Sequence, residues 1–472
     1  MRCTFAEGKL QDEKINRGAQ LELQVARYNI TVSSFYVENF GCRATQADGS
    51  ALERDLLNRG LNRASGAAEA EVVVLNTCTV TASADQDARA AIRRIHRQNP
   101  AAKILVTGCY AQRAPEEIAK IPGVSLVIGN SHKHQLAELA APTAGSFVPL
   151  SDISSPIVVG DIFAHTELLA APVFDTDSGS DKTRPNLKVQ DGCNNRCSFC
   201  IIPFVRGKSR SLRIEHVIRE TNALVAAGYR EIVLSGINLG RWGRDLEGRL
   251  RFTDLLRTVL DNTAIEKVRI SSVEPMDWTN DLVAVVASSS RIAKHAHVPL
   301  QSGSDRVLRL MHRKYRPWHY EDRIARIRAA MPTAAIGADV MVGFPGETDA
   351  DFEQTRSLIE RLPFTYLHVF TYSSRPTTPS AAMPNQVPVH VARERNRILR
   401  ELAGAMKRAF QQQFVGTRLP SITLSVQHGD HTEALSDNYQ KVLIPGRHTP
   451  NQWISPTISA ISGDALIAEP TL

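Results

Sequence analysis

Long apolar runs are absent from this chain. No segment carries the roughly 18 apolar residues that a membrane span needs, so no membrane partner is expected. The first thirty residues lack the apolar stretch of a signal peptide. A cytoplasmic, reducing setting is the expectation, and clustered cysteines there read as metal ligands rather than disulfides. Cysteine is itself scarce, seven in 472 residues, and none follows Cys200. That last absence matters most. Cys193, Cys197 and Cys200 stand in the run Asp-Gly-Cys-Asn-Asn-Arg-Cys-Ser-Phe-Cys, and nothing downstream supplies a fourth thiolate.

A four-iron, four-sulfur cluster normally takes four cysteine thiolates, so a CxxxCxxC loop offering three leaves one iron open for a small ligand. The spacing is that of radical S-adenosylmethionine (SAM) enzymes, in which the open iron binds SAM. A zinc site is the competing reading. It wants a fourth Cys or His, and His216, inside an expected helix, is a poor one. Phe199, just before the last cysteine, is apolar where a polar loop residue is expected.

Apolar residues make up 43% of the chain, enough for a sizeable core, and the length predicts two to four domains. A net charge of +7 suits an acidic partner such as RNA. Residues 1–31 read as an extension holding Cys3 as a spare thiol, and 143–183 as a linker with an edge strand at 157–159. Between them, in 32–142, strands at 72–75, 104–107 and 124–128 interleave with helices at 46–58, 84–97 and 132–139, the rhythm of a parallel α/β sheet. Residues 184–413 repeat strand then helix about six times, predicting a partial (β/α) barrel, and close on a helix at 391–413. Residues 415–472 turn to short strands split by Gly and Pro, as in a small β-barrel.

The remaining cysteines form a second set. Cys42, Cys78 and Cys109 each sit just past the end of an expected strand, and in an open parallel sheet such ends border one crevice. Three thiolates there make a second open cluster site, or else three ordinary core residues.

With these motifs in order the chain resembles the radical SAM methylthiotransferases from about Phe35 to its end. The resemblance rests on Gly41-Cys42, Asn76-Thr77-Cys78, Gly108-Cys109-Tyr110, the CxxxCxxC loop, Ser235-Gly236-Ile237-Asn238 and Ser272-Val273-Glu274-Pro275. It continues through Pro299-Leu300-Gln301-Ser302, Gly343-Phe344-Pro345-Gly346-Glu347 and Tyr372-Ser373-Ser374-Arg375. It implies a flavodoxin-like N-terminal domain, a partial-barrel radical SAM domain and a C-terminal TRAM-like domain. It also implies an auxiliary [4Fe-4S] cluster on Cys42, Cys78 and Cys109 beside the SAM cluster on Cys193, Cys197 and Cys200. Reductive cleavage of SAM to a 5′-deoxyadenosyl radical, insertion of sulfur at an unactivated carbon and methylation by a second SAM complete the implied activity. An electron donor is an implied partner, and a monomer is expected.

Known substrates of the family are adenosines beside the tRNA anticodon bearing an isopentenyl or a threonylcarbamoyl group, and an aspartate of a ribosomal protein. Asp87-Ala88-Arg89 with its neighbours, His297-Val298-Pro299 and Met311-His312-Arg313-Lys314-Tyr315 are most similar to the threonylcarbamoyl branch, with methylthiolation at C2. A non-catalytic iron–sulfur protein that binds RNA or carries electrons is the alternative of another class. Phe199, Gly236, Asn238, Glu274, Gln301 and Gly343 are the SAM-binding candidates; taken singly, all but Phe199 also read as turn or barrel-layer residues. Eight basic residues against two acidic ones lie between Arg184 and Arg219, and Arg206, Lys208, Arg210 and Arg213 are the candidates for the anticodon stem-loop's phosphates. Two departures stand out: Thr45 replaces an Asn usual in the family, and the C-terminal domain carries a net −2, which leaves Tyr439 and Trp453 as its means of stacking on RNA.

Overall fold

The computed structural model describes residues 34–142, 157–164 and 183–470. The expected extension, its Cys3 and most of the expected linker lie outside these residues. Six strands build the first sheet: β1 (Ser34–Asn39), β2 (Asn62–Arg63), β3 (Val72–Thr77), β4 (Lys103–Gly108), β5 (Val124–Gly129) and β6 (Ile157–Val158). All pairings are parallel, in the order β2-β1-β3-β4-β5-β6. The continuous apolar runs of β3 and β4 follow from burial on both faces. Val73, Leu75, Ile104 and Val106 pack with Ile92 and Ile95 of the helix Ala82–Gln98, while Val72, Val74 and Leu105 pack with Leu52 and Leu56 of the helix Arg43–Asn58. The strand order is that of flavodoxin-like sheets, whose ligand crevice opens where β1 and β3 diverge.

The barrel has β7 (Asn186–Asp191), β8 (Arg210–Ser211), β9 (Glu231–Gly236), β10 (Lys267–Ile270), β11 (His295–His297), β12 (Ala335–Val342) and β13 (Tyr366–Thr371). Two sheets, β10-β9-β7-β8 and β11-β12-β13, are joined by parallel bridges Val268↔Ile292 and Ser272↔His297. Six parallel strands therefore run in chain order around an open barrel, with the short β8 antiparallel at one edge. A single apolar core runs from Leu187 to Leu399 between strands and helices. The three-residue β11 and the helix Asn280–Ser288 were not expected.

The helix Val389–Gln412 leads to a mixed, mostly antiparallel sheet. It consists of β14 (Ser421–His428), β15 (His431–Ser436), β16 (Lys441–Pro445), β17 (Trp453–Ile454), β18 (Ile458–Ser462) and β19 (Ala465–Ala468). Phe410 and Phe414 bury this sheet's apolar face against Ala335 of the barrel. Among the described residues no helix is long and apolar enough to cross a membrane.

Candidate active site

Cys42, Cys78 and Cys109 follow β1, β3 and β4, three neighbouring strands about 4.8 Å apart. Their ends are level, since Asn39 pairs with Asn76 and Thr77 with Gly108. Strand order and register together bring the three thiols to one rim. Gly41 and Gly108 precede two of them, both at φ +100. A Cβ on Gly41 would lie 2.8 Å from Cys78 Sγ, and one on Gly108 would meet Thr77 N at 2.5 Å. Gly108→Ala is therefore expected to cost about 1–3 kcal/mol and to lower the iron retained after anaerobic reconstitution, measured by urea unfolding and iron assay.

The second set hangs from the C-terminal end of β7. Cys193 N donates to Gly207 O (3.1 Å), Ser198 N to Met311 O (3.1 Å) and Ser198 Oγ to Leu310 O (2.7 Å), so the loop is pinned to the end of the helix Asp305–Leu310. Polar hydrogens point at its sulfurs: Asn195 N and Asn238 Nδ2 at Cys193 Sγ (3.3 and 3.5 Å), Arg313 Nη1 at Cys197 Sγ (3.3 Å). Arg313 also pairs with Glu274.

The whole loop set and Cys42 of the other set reach one cavity of about 560 Å³. Cys42, Cys193, Cys197 and Cys200 line it, with Phe199, Gly236, Asn238, Glu274 and Gln301. Cys78 and Cys109 are buried and stand outside its lining. Gly343 does not belong to this wall. It abuts Ala392 of the long helix, and its N–H donates to Glu347 Oε2 at 2.6 Å, with Arg395 on the same carboxylate. That glycine motif is a packed strand-to-helix turn here, and its place among the SAM candidates is corrected. Arg206 is the second correction. Its side chain is 2% exposed and is sealed between Asp191 and Asp48, so it cannot meet RNA. Arg210 is half-buried and donates to its own loop's carbonyls, whereas Lys208 and Arg213 stand exposed. His216 is exposed on its helix, away from any fourth-ligand position.

Neither cysteine set has its three sulfurs all within 4.8 Å of one another, the spread within which only His297, Asp339 and His368 gather among the described residues. A single tetrahedral zinc with Zn–S near 2.3 Å draws its sulfurs to about 3.8 Å. Both triads are therefore spread wider than a single tetrahedral zinc draws its ligands. Burial pushes the Cys78 and Cys200 thiols up to about 12, so in the bare chain they hold protons that iron displaces.

Beneath Cys42 and Cys109 lies a buried ionic network. Lys133 Nζ (3.0 Å), Arg206 Nη2 (3.0 Å) and Lys188 Nζ all reach Asp48, and Lys188 (2.9 Å) and Arg206 (3.0 Å) also reach Asp191. Thr45 joins it to the site: its Oγ1 lies 3.6 Å from Cys42 Sγ and accepts from Arg206 Nη2 at 3.4 Å. A second tie between the units runs from Arg375 to Asp85 and Thr79.

Apart from Tyr439, expected to stack on RNA, sequence reasoning assigned no role to the residues of the cavity's far wall. Arg43, His295, His297, Asp339, Tyr366, His368 and Tyr439 form it. Tyr439, from the turn between β15 and β16, stacks on His295 with centroids 4.4 Å apart rather than offering a free face, and Trp453 packs near Lys267. Burial, more than any neighbour, holds the His295 imidazole well below its usual range. Burial alone would raise the Asp339 carboxyl, but hydrogen bonds from His297 and His368 bring it below the carboxylate range. His297 and Arg313 did lie in motifs that carried the family resemblance.

A three-thiolate loop on the C-terminal edge of an open parallel barrel defines a radical SAM enzyme. The Radical SAM superfamily model matches residues 187–359, and the model described as Uncharacterized protein family UPF0004 matches 34–129. The chain is 37% identical to the threonylcarbamoyladenosine tRNA methylthiotransferase MtaB of Aquifex aeolicus, over 85% of this chain and 94% of the relative. It is 38% identical to the Bacillus subtilis protein of that name (86% and 89%), and 36% to a tRNA-2-methylthio-N(6)-dimethylallyladenosine synthase of Syntrophobacter fumaroxidans (75% and 77%). The chain belongs to the radical SAM methylthiotransferase family. Its fold matches the radical SAM methyltransferase TsrM of Kitasatospora setae with TM-score 0.50 at 14% identity, over 75% of this chain and 77% of that one.

Proposed function

We propose that this chain is a cytoplasmic enzyme that adds a methylthio group to C2 of N6-threonylcarbamoyladenosine in the anticodon loop of tRNA. One cavity lined by the whole loop triad and by Cys42 of the strand-end triad carries the reading, because sulfur insertion needs a radical generator and a sulfur source within reach of the same carbon. The threonylcarbamoyl branch is favoured by two relatives 37% and 38% identical over 85% and 86% of this chain, against 31–36% identity for four dimethylallyl-type relatives. Residues 32–142 form the auxiliary-cluster domain, 184–413 the radical SAM domain and 415–472 the TRAM-like domain. The enzyme acts as a monomer and draws on an external electron donor.

When bound, two [4Fe-4S] clusters and SAM supply the reducing electron, the hydrogen-abstracting chemistry, the sulfur and the methyl group. The chain holds and shields them. Cys193, Cys197 and Cys200 hold one cluster, and Cys42, Cys78 and Cys109 the other. Asn238 and Asn195 N–H and the Arg313 guanidinium donate to sulfur, which steadies thiolate charge at the first site. Phe199, packed edge-on to Phe344, gives the wall beside Cys200 an apolar face, and Gln301 Oε1 and Asn238 Oδ1, both buried without partners, are left to bind SAM's polar groups. Tyr439, stacked on His295, helps close the cavity against water, and the Arg375–Asp85 tie holds the two units together. Lys208 and Arg213 are left for RNA phosphates.

Anaerobically reconstituted protein with dithionite, SAM and a threonylcarbamoyladenosine stem-loop is expected to yield the methylthio nucleoside and 5′-deoxyadenosine, read by mass spectrometry. Conversion of an isopentenyladenosine stem-loop instead would reject the substrate, and no 5′-deoxyadenosine from fully loaded protein would reject the enzyme.

A further inference from the structure

Two contact networks line the cavity, and they differ in charge balance. On the SAM side, Arg313 is matched by Glu274 and turned toward Cys197. On the far wall, Asp339 Oδ1 lies 3.1 Å from His297 Nε2 and 3.2 Å from His368 Nδ1. Arg43 has no carboxylate partner among the described residues. Its one side-chain hydrogen bond there runs from Nη2 to Tyr439 OH at 3.3 Å. Its backbone is fixed as the first residue of the helix Arg43–Asn58, and its carbonyl accepts from Asn186 Nδ2 at 2.6 Å. A half-buried guanidinium, oriented by a tyrosine and lining the cavity with no carboxylate paired to it, can take an anion that enters there.

Accepting the function proposed above, we infer that Arg43 binds the carboxylate of the acidic substituent on N6 of the target adenosine, with Tyr439 setting the guanidinium's orientation. Position supports this. C2 and C6, the carbon that bears N6, flank the same ring nitrogen of adenine, so a base that presents C2 to the sulfur-giving cysteine set carries its N6 group past the residue next to Cys42. That residue is Arg43. Selectivity follows from the same charge. A threonylcarbamoyl group brings a carboxylate to it, whereas an isopentenyl group brings only hydrocarbon and leaves the guanidinium desolvated and unpaired. Tyr439 belongs to the C-terminal sheet and lies 396 positions from Arg43, so that domain contributes a residue to substrate choice although it carries a net −2.

The test uses reconstituted full-length protein and three anticodon stem-loops: one with threonylcarbamoyladenosine, one with the same group as its neutral primary amide, and one with isopentenyladenosine. Dissociation constants come from fluorescence anisotropy. Wild type is expected to prefer the acid to the amide by roughly 10- to 100-fold, the range for a hydrogen bond to a charged group. Arg43→Gln is expected to erase that preference with the iron content unchanged, and Arg43→Lys to keep most of it. A flat acid-to-amide comparison in wild type, which needs no variant, overturns the inference. So does an equal loss by Arg43→Gln on all three RNAs, which marks a contact to backbone phosphate. Turnover separates the two claims: a wild type that binds the acid selectively but methylthiolates only the isopentenyl RNA contradicts the proposed function and leaves the carboxylate site standing.

Discussion

Cys197→Ala is expected to abolish 5′-deoxyadenosine release and to leave about four iron atoms per chain in place of about eight, while Cys78→Ala leaves the same iron count but keeps SAM cleavage. The asymmetry follows from where the two thiols sit. Cys197 belongs to the loop pinned against Met311 and Leu310, on the barrel edge where SAM candidates Gly236, Asn238 and Gln301 converge. Cys78 belongs to the sheet of the other unit, behind Cys42. Losing either removes methylthio product entirely, yet only the first removes the reductive step. Each triad has no spare cysteine among the described residues, so neither loss is rescued by a neighbour. Iron assay, 5′-deoxyadenosine by chromatography and nucleoside mass spectrometry read the three quantities separately. Equal loss of 5′-deoxyadenosine in both variants, with iron retained at the intact triad, would mean that the two sets do not divide the chemistry in this way.

The cysteine geometry was legible in the sequence because it is local. Each thiol follows its own strand, and adjacency of β1, β3 and β4 converts three strand ends into one rim. The CxxxCxxC loop is contiguous, and the barrel's strand-then-helix rhythm repeats within short windows. What escaped was non-local or short. β11 has three residues, too few for an alternation to show. Arg206 read as one of a run of basic residues near the loop, whereas its decisive partner, Asp48, lies 158 positions away in another unit. Gly343 read as a cofactor turn because nothing near it in the chain announces Ala392 of the packing helix. Tyr439 sits at φ +65 in an acidic β-domain, and only the docking of that domain carries its ring into the cavity.

Arg206→Met is expected to cost about 3–5 kcal/mol of stability, because it leaves two buried carboxylates short of a partner. Burial alone would raise the Asp48 and Asp191 carboxyls, but Lys133, Lys188 and Arg206 around the first and Arg206, Lys188 and Arg210 around the second hold both well below the ordinary range. The sign of the pH effect follows. A carboxyl depressed in the folded state stabilises the fold above its unfolded value near 3.8, and that contribution drains away as the pH falls toward the folded value. Wild type should thus lose stability steeply below about pH 4, and Arg206→Met should lose less over the same interval because less depression remains. Three fully buried cations, with Arg210 at the edge 3.9 Å from Asp191, against two carboxylates also leave this knot with positive charge in excess under Cys42 and Cys109, complementary to a thiolate-bound cluster. The variant should accordingly shed iron from the auxiliary site first. Urea unfolding from pH 3 to 8 with iron counted at each step measures both effects. A loss below about 1 kcal/mol, the size of an exposed ion pair, would show that the network is not the seal between the two units that its burial indicates.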